Sequence, residues 1–265
     1  MSRVRTPLLA FAPIPVGLLL LLLGHARDPL ALHLAQSISS PSGAMPLGTD
    51  PLGRDVLARL LVASGAALIG LYLSLGVSTI IGVTGGSLMG WTAGSWFDKL
   101  GLFVIDTVFV IPTLLVLLAL FTSLEPSTLR TYLALGVVGA AGPARVTRNE
   151  LARLRQSPVA IAQRALGFST ARLLLVSLLP LSASAAVRSM TTYVPELLGY
   201  EVGLGFFGLG TPPPTPSLGR MLYDGLNQIH VAWWLWLGPA VTAILIGVLL
   251  RSVLLAVSAG DRKAA

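Results

Sequence analysis

Apolar residues in this chain come in long blocks separated by shorter polar stretches. Six blocks stand out, at about residues 7–24, 64–90, 100–121, 129–145, 173–200 and 231–257. Each is close to or above the length that a helix needs to cross a hydrocarbon core, about 20 residues. The pattern predicts an all-α polytopic membrane protein with about six transmembrane helices.

Small residues recur inside these blocks at helical spacing. Gly82, Gly86 and Gly90 follow one another every four residues in the second block, after Gly65, Gly70 and Gly76; Gly136, Ala140 and Ala144 repeat the device in the fourth. Such stripes leave one helix face nearly bare, so that a second backbone can approach closely. The spacing predicts tight packing at Gly86 and a slacker environment at Gly65, near the end of its block.

Composition strengthens the membrane assignment. The chain is 54% hydrophobic and 11% charged, against about 25% charged in soluble domains. Its formal net charge of +7 reads as a topology signal, because no nucleic-acid-binding motif accompanies it. With Arg3 and Arg5 placed inside, the six-span arrangement puts eleven Lys/Arg on the cytoplasmic side, five outside and two within spans. Both termini, 91–99 and 146–172 are then cytoplasmic, while 25–62, 122–128 and 201–230 are external. The chain divides into an N-terminal helix with its external segment (1–62) and a membrane domain (63–265) that includes a cytoplasmic loop at 146–180. A cleaved signal peptide is an alternative for the first block, since Gly24, His25 and Ala26 loosely resemble a cleavage site.

The loop between the fourth and fifth blocks is the most distinctive polar element. From Arg145 to Arg172 it holds six arginines and one acid, Glu150. Ser157 and Pro158 suit the cap and first position of a helix, and Gly167 suits the left-handed residue after its last turn. The short enclosed helix keeps one face thin with Ala162 and Ala165 and also carries Arg164. Ser169 or Thr170 begins a second helix that meets Pro180. Outside, Asp50 before Pro51 reads as the cap of an amphipathic helix with Val56, Leu57, Leu60 and Leu61 on its apolar face. The run Gly203–Gly219 is too rich in Gly and Pro for a regular span.

Candidate chemistry is sparse. No glycine-rich phosphate loop, paired-histidine metal motif or serine-hydrolase elbow is present, and the chain has no cysteine. The sequence therefore predicts neither a bound cofactor nor a metal site, nor catalysis by this chain. Asp106, Arg188, Glu196 and Glu201 lie in or near the spans, where ionisable groups usually face a cavity or a partner. For Asp106 a bundle-facing role is favoured over cargo binding; Arg188 is open between pairing with an acid and facing a polar path.

Four segments then carry a resemblance. Ala162-Gln163-Arg164-Ala165-Leu166-Gly167, with Pro180 thirteen residues after the glycine, resembles the EAA loop of bacterial ABC-importer permeases. Leu47 to Leu60, containing Gly48, Thr49, Asp50, Gly53, Arg54 and Asp55, resembles the LGTDxxGRDxxSRL segment of the peptide/nickel branch. Asp98, Asp106, Pro112, Leu114 and Leu115 resemble its DxxxxxxxDxxxxxPxLL pattern. Glu201 with Leu204–Gly210, which includes Phe206, Gly208 and Gly210, and then Pro213 to Gly219, resembles ExxLSFLGLGxxPPTPxWG. Departures are a non-acidic residue at the EAA glutamate, Leu178 and Leu218 at frequent His and Trp positions, and a different C-terminal run.

The resemblance implies a type I ABC-importer permease fold in a bacterial inner membrane. It implies that 157–180 forms a coupling helix against an ATPase. The implied partners are a second homologous permease, two ATPase subunits carrying ATP and Mg, an external substrate-binding protein and the lipid bilayer. Peptides, nickel, chelated metal and haem-like compounds all fall within the implied cargo range. A secondary transporter or channel working without ATPase subunits is the competing expectation.

Overall fold

In a computed structural model, backbone is described for residues 12–262 and side chains for residues 12–256. Arg3, Arg5 and Lys263, and the side chain of Arg262, on which the orientation of the termini partly depends, lie outside the described residues. The helices are α1 (Pro13–His25), α2 (Val56–Trp91), α3 (Trp96–Val110), α4 (Thr113–Thr122), α5 (Thr128–Gly139), α6 (Ala141–Arg155), α7 (Pro158–Ala165), α8 (Thr170–Phe206), α9 (Leu218–Leu226) and α10 (Trp234–Arg262). Among the described residues there is no strand beyond an isolated bridge between Thr49 and Asp55.

Three of these helices, α2, α8 and α10, are each long and apolar enough to cross a membrane; α3 and α4 meet the test only as a broken pair. Proline explains why the third and fourth blocks are not continuous helices. Pro112 disfavours helical backbone at the residue before it, and Ile111 is extended, with φ −82° and ψ 132°. Pro143 has no N–H to offer the carbonyl of Gly139 four residues back, and α5 gives way to α6 at Ala140. In α8 the turns at Leu173–Leu178 widen to a π-helix just before Pro180, which leaves the ladder one donor short.

The chain forms two compact units, and α2, α5 and α8 each contribute to both. In the unit built from 74–113 and 136–193, the glycine stripe of α2 lies against α6. A Cβ on Gly82 would sit 2.6 Å from Pro143 Cβ, one on Gly86 2.8 Å from Thr147 Cβ, and one on Gly90 2.7 Å from the Arg148 carbonyl oxygen. Gly136 reciprocates against Val77 and the Ser74 carbonyl. Ser78 Oγ donates to the Gly136 carbonyl at 2.8 Å. These helices touch backbone to backbone.

The other unit comprises residues up to 73, 114–135 and 194 onwards. Here α1 packs on the start of α2 through Gly17, Gly24 and Gly65, and a Cβ on Gly65 would lie 2.6 Å from the Gly17 carbonyl oxygen. The slack environment expected at Gly65 is therefore wrong: the end of a block is still an interface when another helix covers it.

The external segment also differs from expectation. Asp50 caps no helix. Its Oδ1 accepts from the Leu52 and Arg54 amides at 2.9 and 3.0 Å, closing a turn in which Gly53 takes φ +73°. The helix starts at Val56, and the capping group is Asp55, whose Oδ1 accepts from the Leu57 amide at 2.9 Å. Nor is this start an amphipathic surface helix: Val56, Ala58, Arg59, Leu60, Val62 and Ala63 are all buried, covering nearly every face. The physical reason for the difference at Asp50 is that an Asx turn and a helix cap use the same side-chain acceptor.

Candidate functional site

Two groups of residues singled out from the sequence assemble into definite structures, one in each unit. The first is the short helix α7 with its flanks. Ser157 has extended backbone, and its Oγ accepts from the Ala160 amide at 3.3 Å, with Pro158 at the first helical position. At the other end Gly167 takes φ +82°. Its amide donates to the Arg164 carbonyl at 2.9 Å and that of Phe168 donates to the Gln163 carbonyl at 3.1 Å. That pair of bonds is a Schellman cap, which satisfies the last carbonyls and ends the helix sharply. Ser169, rather than Thr170, caps the start of α8, accepting from the Arg172 amide.

What holds α7 in place is not legible in the motif. Ala160 is fully buried and packs in a cluster with Leu151, Leu173 and Leu178, flanked by Trp91, Leu154 and Leu174. The Ala160 methyl group is thus enclosed where α7 meets α6 and α8. The opposite side presents Val159, Ile161, Ala162, Ala165 and Leu166, all exposed, with Leu166 at 77%. The exposed face of this short helix is thus apolar, and a buried alanine anchors it from behind. Ala162 and Ala165 keep that face thin, as expected, while Ile161 adds bulk beside them.

The six arginines of the loop are mostly engaged in bracing it. Arg148 makes a two-pronged bond to Asp98, with Nε and Nη2 at 2.8 and 2.5 Å from the carboxylate oxygens. Hydrogen bonding to Asp98 holds the Arg148 guanidinium above its ordinary pKa. Arg145 pairs with Asp106 and lies 4.7 Å over the Phe109 ring. Arg153 grips Glu150 at 3.0 and 2.6 Å, and this bond pulls the Glu150 carboxyl below its usual range. Arg155 donates to the Trp91 carbonyl and stacks on its ring, Arg164 donates to the Arg155 carbonyl, and Arg172 lies over Phe168. Asp98 and Asp106 thus serve as counter-ions that tie α3 to α6. Arg188 hydrogen-bonds Ser184 one turn back on its own helix, at 3.0 Å. No interhelical ion pair joins it to an acid among the described residues.

The second group lies in the other unit. Residues 48–59 form a small polar knot. Thr49 Oγ1 accepts from the Ser39 amide at 2.8 Å and donates to the Gln36 carbonyl. Arg54 Nε bonds Asp50 at 2.7 Å, Arg59 approaches the same carboxylate at 3.5 Å, and Arg27 bonds Asp55 at 2.8 Å. Gly48 takes φ +68° against the Ser39 carbonyl, and a side chain at Gly53 would strike the His33 backbone. The glycines, the threonine and the charged residues of this segment therefore specify one loop structure.

Residues 201–220 pack beside it. Helix α8 continues to Phe206, beyond the expected end near 200, and closes with the same cap as α7: Gly208 at φ +76°, its amide on the Gly205 carbonyl and that of Leu209 on the Leu204 carbonyl. Gly219, expected in irregular chain, belongs to α9, whose cap is Ser217. A Cβ at Gly219 would sit 2.6 Å from the Phe206 amide nitrogen, so this glycine lets α9 lie on the end of α8. A Cβ on Gly210 would stand 3.3 Å from Gly205. Phe206 meets Phe207 and Tyr223 edge-on. Glu201 is buried with Tyr132 Oη 3.4 Å from its Oε1, and Oε2 has no partner. Between the knot and this segment is a cavity of about 250 Å³, lined by Arg54, Arg59, Arg220, Asp224, Pro213 and Pro214 among others. No cluster of His, Asp and Glu suited to a metal occurs among the described residues.

Comparison with known proteins adds an independent line. Residues 82–260 match the family described as the binding-protein-dependent transport system inner membrane component. The di/tripeptide transport system permease protein DppC of Pseudomonas aeruginosa is 33% identical over 171 residues, covering 63% of this chain and 56% of that protein. The dipeptide transport system permease protein DppC of Bacillus subtilis is 32% identical, covering 62% and 51%. The oligopeptide transport system permease protein OppC of the same organism is 30% identical, covering 61% and 52%. The chain thus spans about half the length of the curated relatives it matches. It belongs to the binding-protein-dependent transport system inner membrane component family.

Proposed function

We propose that this chain is a permease subunit of an ATP-driven importer and forms half of a translocation pathway for peptides. The observation that carries the mechanism is α7: a capped two-turn helix, anchored by Ala160 and exposing Val159, Ile161, Ala162, Ala165 and Leu166. Such an element transmits force when a partner grips its exposed face, because its rear is fixed to α6 and α8. The partner is an ATPase subunit on the cytoplasmic side, and closure of two such subunits around ATP and Mg moves α7. Through the Asp98–Arg148 and Asp106–Arg145 ties, that motion reaches α3 as well as α6 and α8. ATP binding and hydrolysis then bias inward- and outward-facing populations, and this chain makes no chemical bond.

The remaining members of the assembly are a second homologous permease and an external substrate-binding protein. The membrane is a bacterial inner membrane, with both chain termini and 146–172 in the cytoplasm. Peptide cargo is inferred from relatives that are named for dipeptide, di/tripeptide and oligopeptide transport. Membrane vesicles containing the chain together with a second permease, ATPase subunits and a binding protein should accumulate labelled dipeptide only when ATP is supplied. Uptake without ATP or without the ATPase subunits would instead establish a secondary transporter or channel.

A further inference from the structure

We propose that the cavity between residues 52–59 and 205–224 is a carboxylate-binding site that takes the C-terminal end of a short peptide. Three guanidinium groups line it, from Arg54, Arg59 and Arg220. Two carboxylates offset them. Asp50 holds Arg54 at 2.7 Å and Arg59 at 3.5 Å, and Asp224 holds Arg220 at 3.1 Å. One positive charge is therefore left without a counter-ion among the groups around the cavity. It is carried chiefly by Arg59, whose side chain is only 5% exposed and which shares an already paired carboxylate.

A second observation points to a missing ligand. Arg59 Nη1 is buried and has no hydrogen-bond partner. An unsatisfied donor on a buried cation is costly, and a planar oxyanion is the group that a guanidinium binds best, through two parallel N–H···O bonds. The rest of the lining suits the residues adjoining such a group in a small peptide. Leu52, Pro213 and Pro214 supply apolar contact beside the guanidinium groups. A volume of about 250 Å³ admits a carboxylate with one or two small residues and excludes a folded chain end of any bulk.

The carboxylate chemistry stands on this geometry alone; that the ligand is cargo rests on the proposed transport function. The test is therefore direct binding to the purified chain in phosphatidylcholine nanodiscs, with no ATPase present. Calorimetric titration with dialanine and with dialanine amide is expected to show at least about tenfold weaker binding of the amide, the loss typical of a charge-assisted contact. Arg220→Gln, at the more exposed wall, should weaken dialanine several-fold without altering the melting temperature. Arg59→Met should abolish the difference between acid and amide. Equal affinity for the two ligands, or no binding of either, overturns the site while leaving ATP-dependent uptake untouched. The same cations could instead hold a lipid phosphate. Discs containing phosphatidylglycerol separate that case: a charge satisfied by lipid would raise the melting temperature of wild type but not of Arg59→Met, with no preference for acid over amide in either disc, and would also overturn the proposal.

Discussion

Gly86 lies directly against the carbonyl oxygen of Ala144, so that α2 and α6 meet with no side chain between them. Neighbouring glycines of α2 are not equivalent. Gly85 and Gly76 have nothing within 4 Å of an added Cβ, whereas Gly65 abuts Gly17. Gly86→Leu should therefore force the helices apart, at a cost of about 1–3 kcal/mol or more. Gly65→Leu should be comparably harmful, and Gly85→Leu should be tolerated. Yield and melting temperature of the detergent-purified variants decide the matter. Equal tolerance at 85 and 86 would remove the close approach.

Asp98 is 2% exposed at its side chain and is held by two bonds from Arg148. Removing one member of a buried pair leaves the other uncompensated, so Asp98→Asn or Arg148→Ala should destabilise by up to about 3–5 kcal/mol. The double variant should be less damaged than the sum of the singles. Additive losses in a double-mutant cycle would show that the two residues do not act as a pair.

The Glu150–Arg153 pair is a contrasting case, because Arg153 is 67% exposed. The Glu150 carboxyl is held below its ordinary range, first by the Arg153 hydrogen bond. A lowered folded-state pKa means that its contribution is present above the ordinary carboxylate range and is lost as pH falls through the lowered value. Glu150→Gln should shift the melting temperature slightly and by the same amount from about pH 6 to about pH 8, with the difference from wild type vanishing only in acid. A wild-type advantage that grows as pH falls would contradict the assigned direction.

If an ATPase grips α7, its exposed face must stay thin and its end must stay sharp. Ala162→Trp should hold the partner off. Gly167→Val should disrupt the cap, since a β-branched residue is poorly tolerated at φ +82°. Both variants should insert normally yet lose ATPase association in pull-downs, by tenfold or more on the order of a hot-spot loss. Arg153→Ala should have little effect. Normal pull-down and transport by both Ala162→Trp and Gly167→Val would sink the coupling role.

The chain has no cysteine, which makes orientation measurable with single replacements. Leu166→Cys, at a position 77% exposed, should resist an impermeant thiol reagent in intact cells and react once they are permeabilised. Gly43→Cys, where an added Cβ meets nothing, should react in intact cells. The reverse pattern would invert the topology and take α7 away from any cytoplasmic ATPase.

By itself the sequence determined the helical class, the membrane setting and both ends of α7. These are local properties: block length, and Ser-Pro and Gly at positions whose backbone they suit well. It also marked faces open to close approach, because small residues recur every four positions in two blocks, but that α2 and α6 meet through them came only with the contacts. Tertiary structure decided what depends on partners distant in the chain. The turn at Asp50 and the cap at Asp55 use the same kind of acceptor, and only the packing of 33–49 around them distinguishes the two. Gly65 proved to be a contact because α1 covers it, and Ala160, unremarkable in sequence, became the anchor of α7 because Leu151, Leu173 and Leu178 close around its methyl group. The arginines of the loop read as a topology signal, yet their counter-ions and ring partners lie up to 64 residues away. The cavity at Arg59 was invisible for the same reason: its walls come from two segments about 150 residues apart, and only folding places three guanidinium groups around one space.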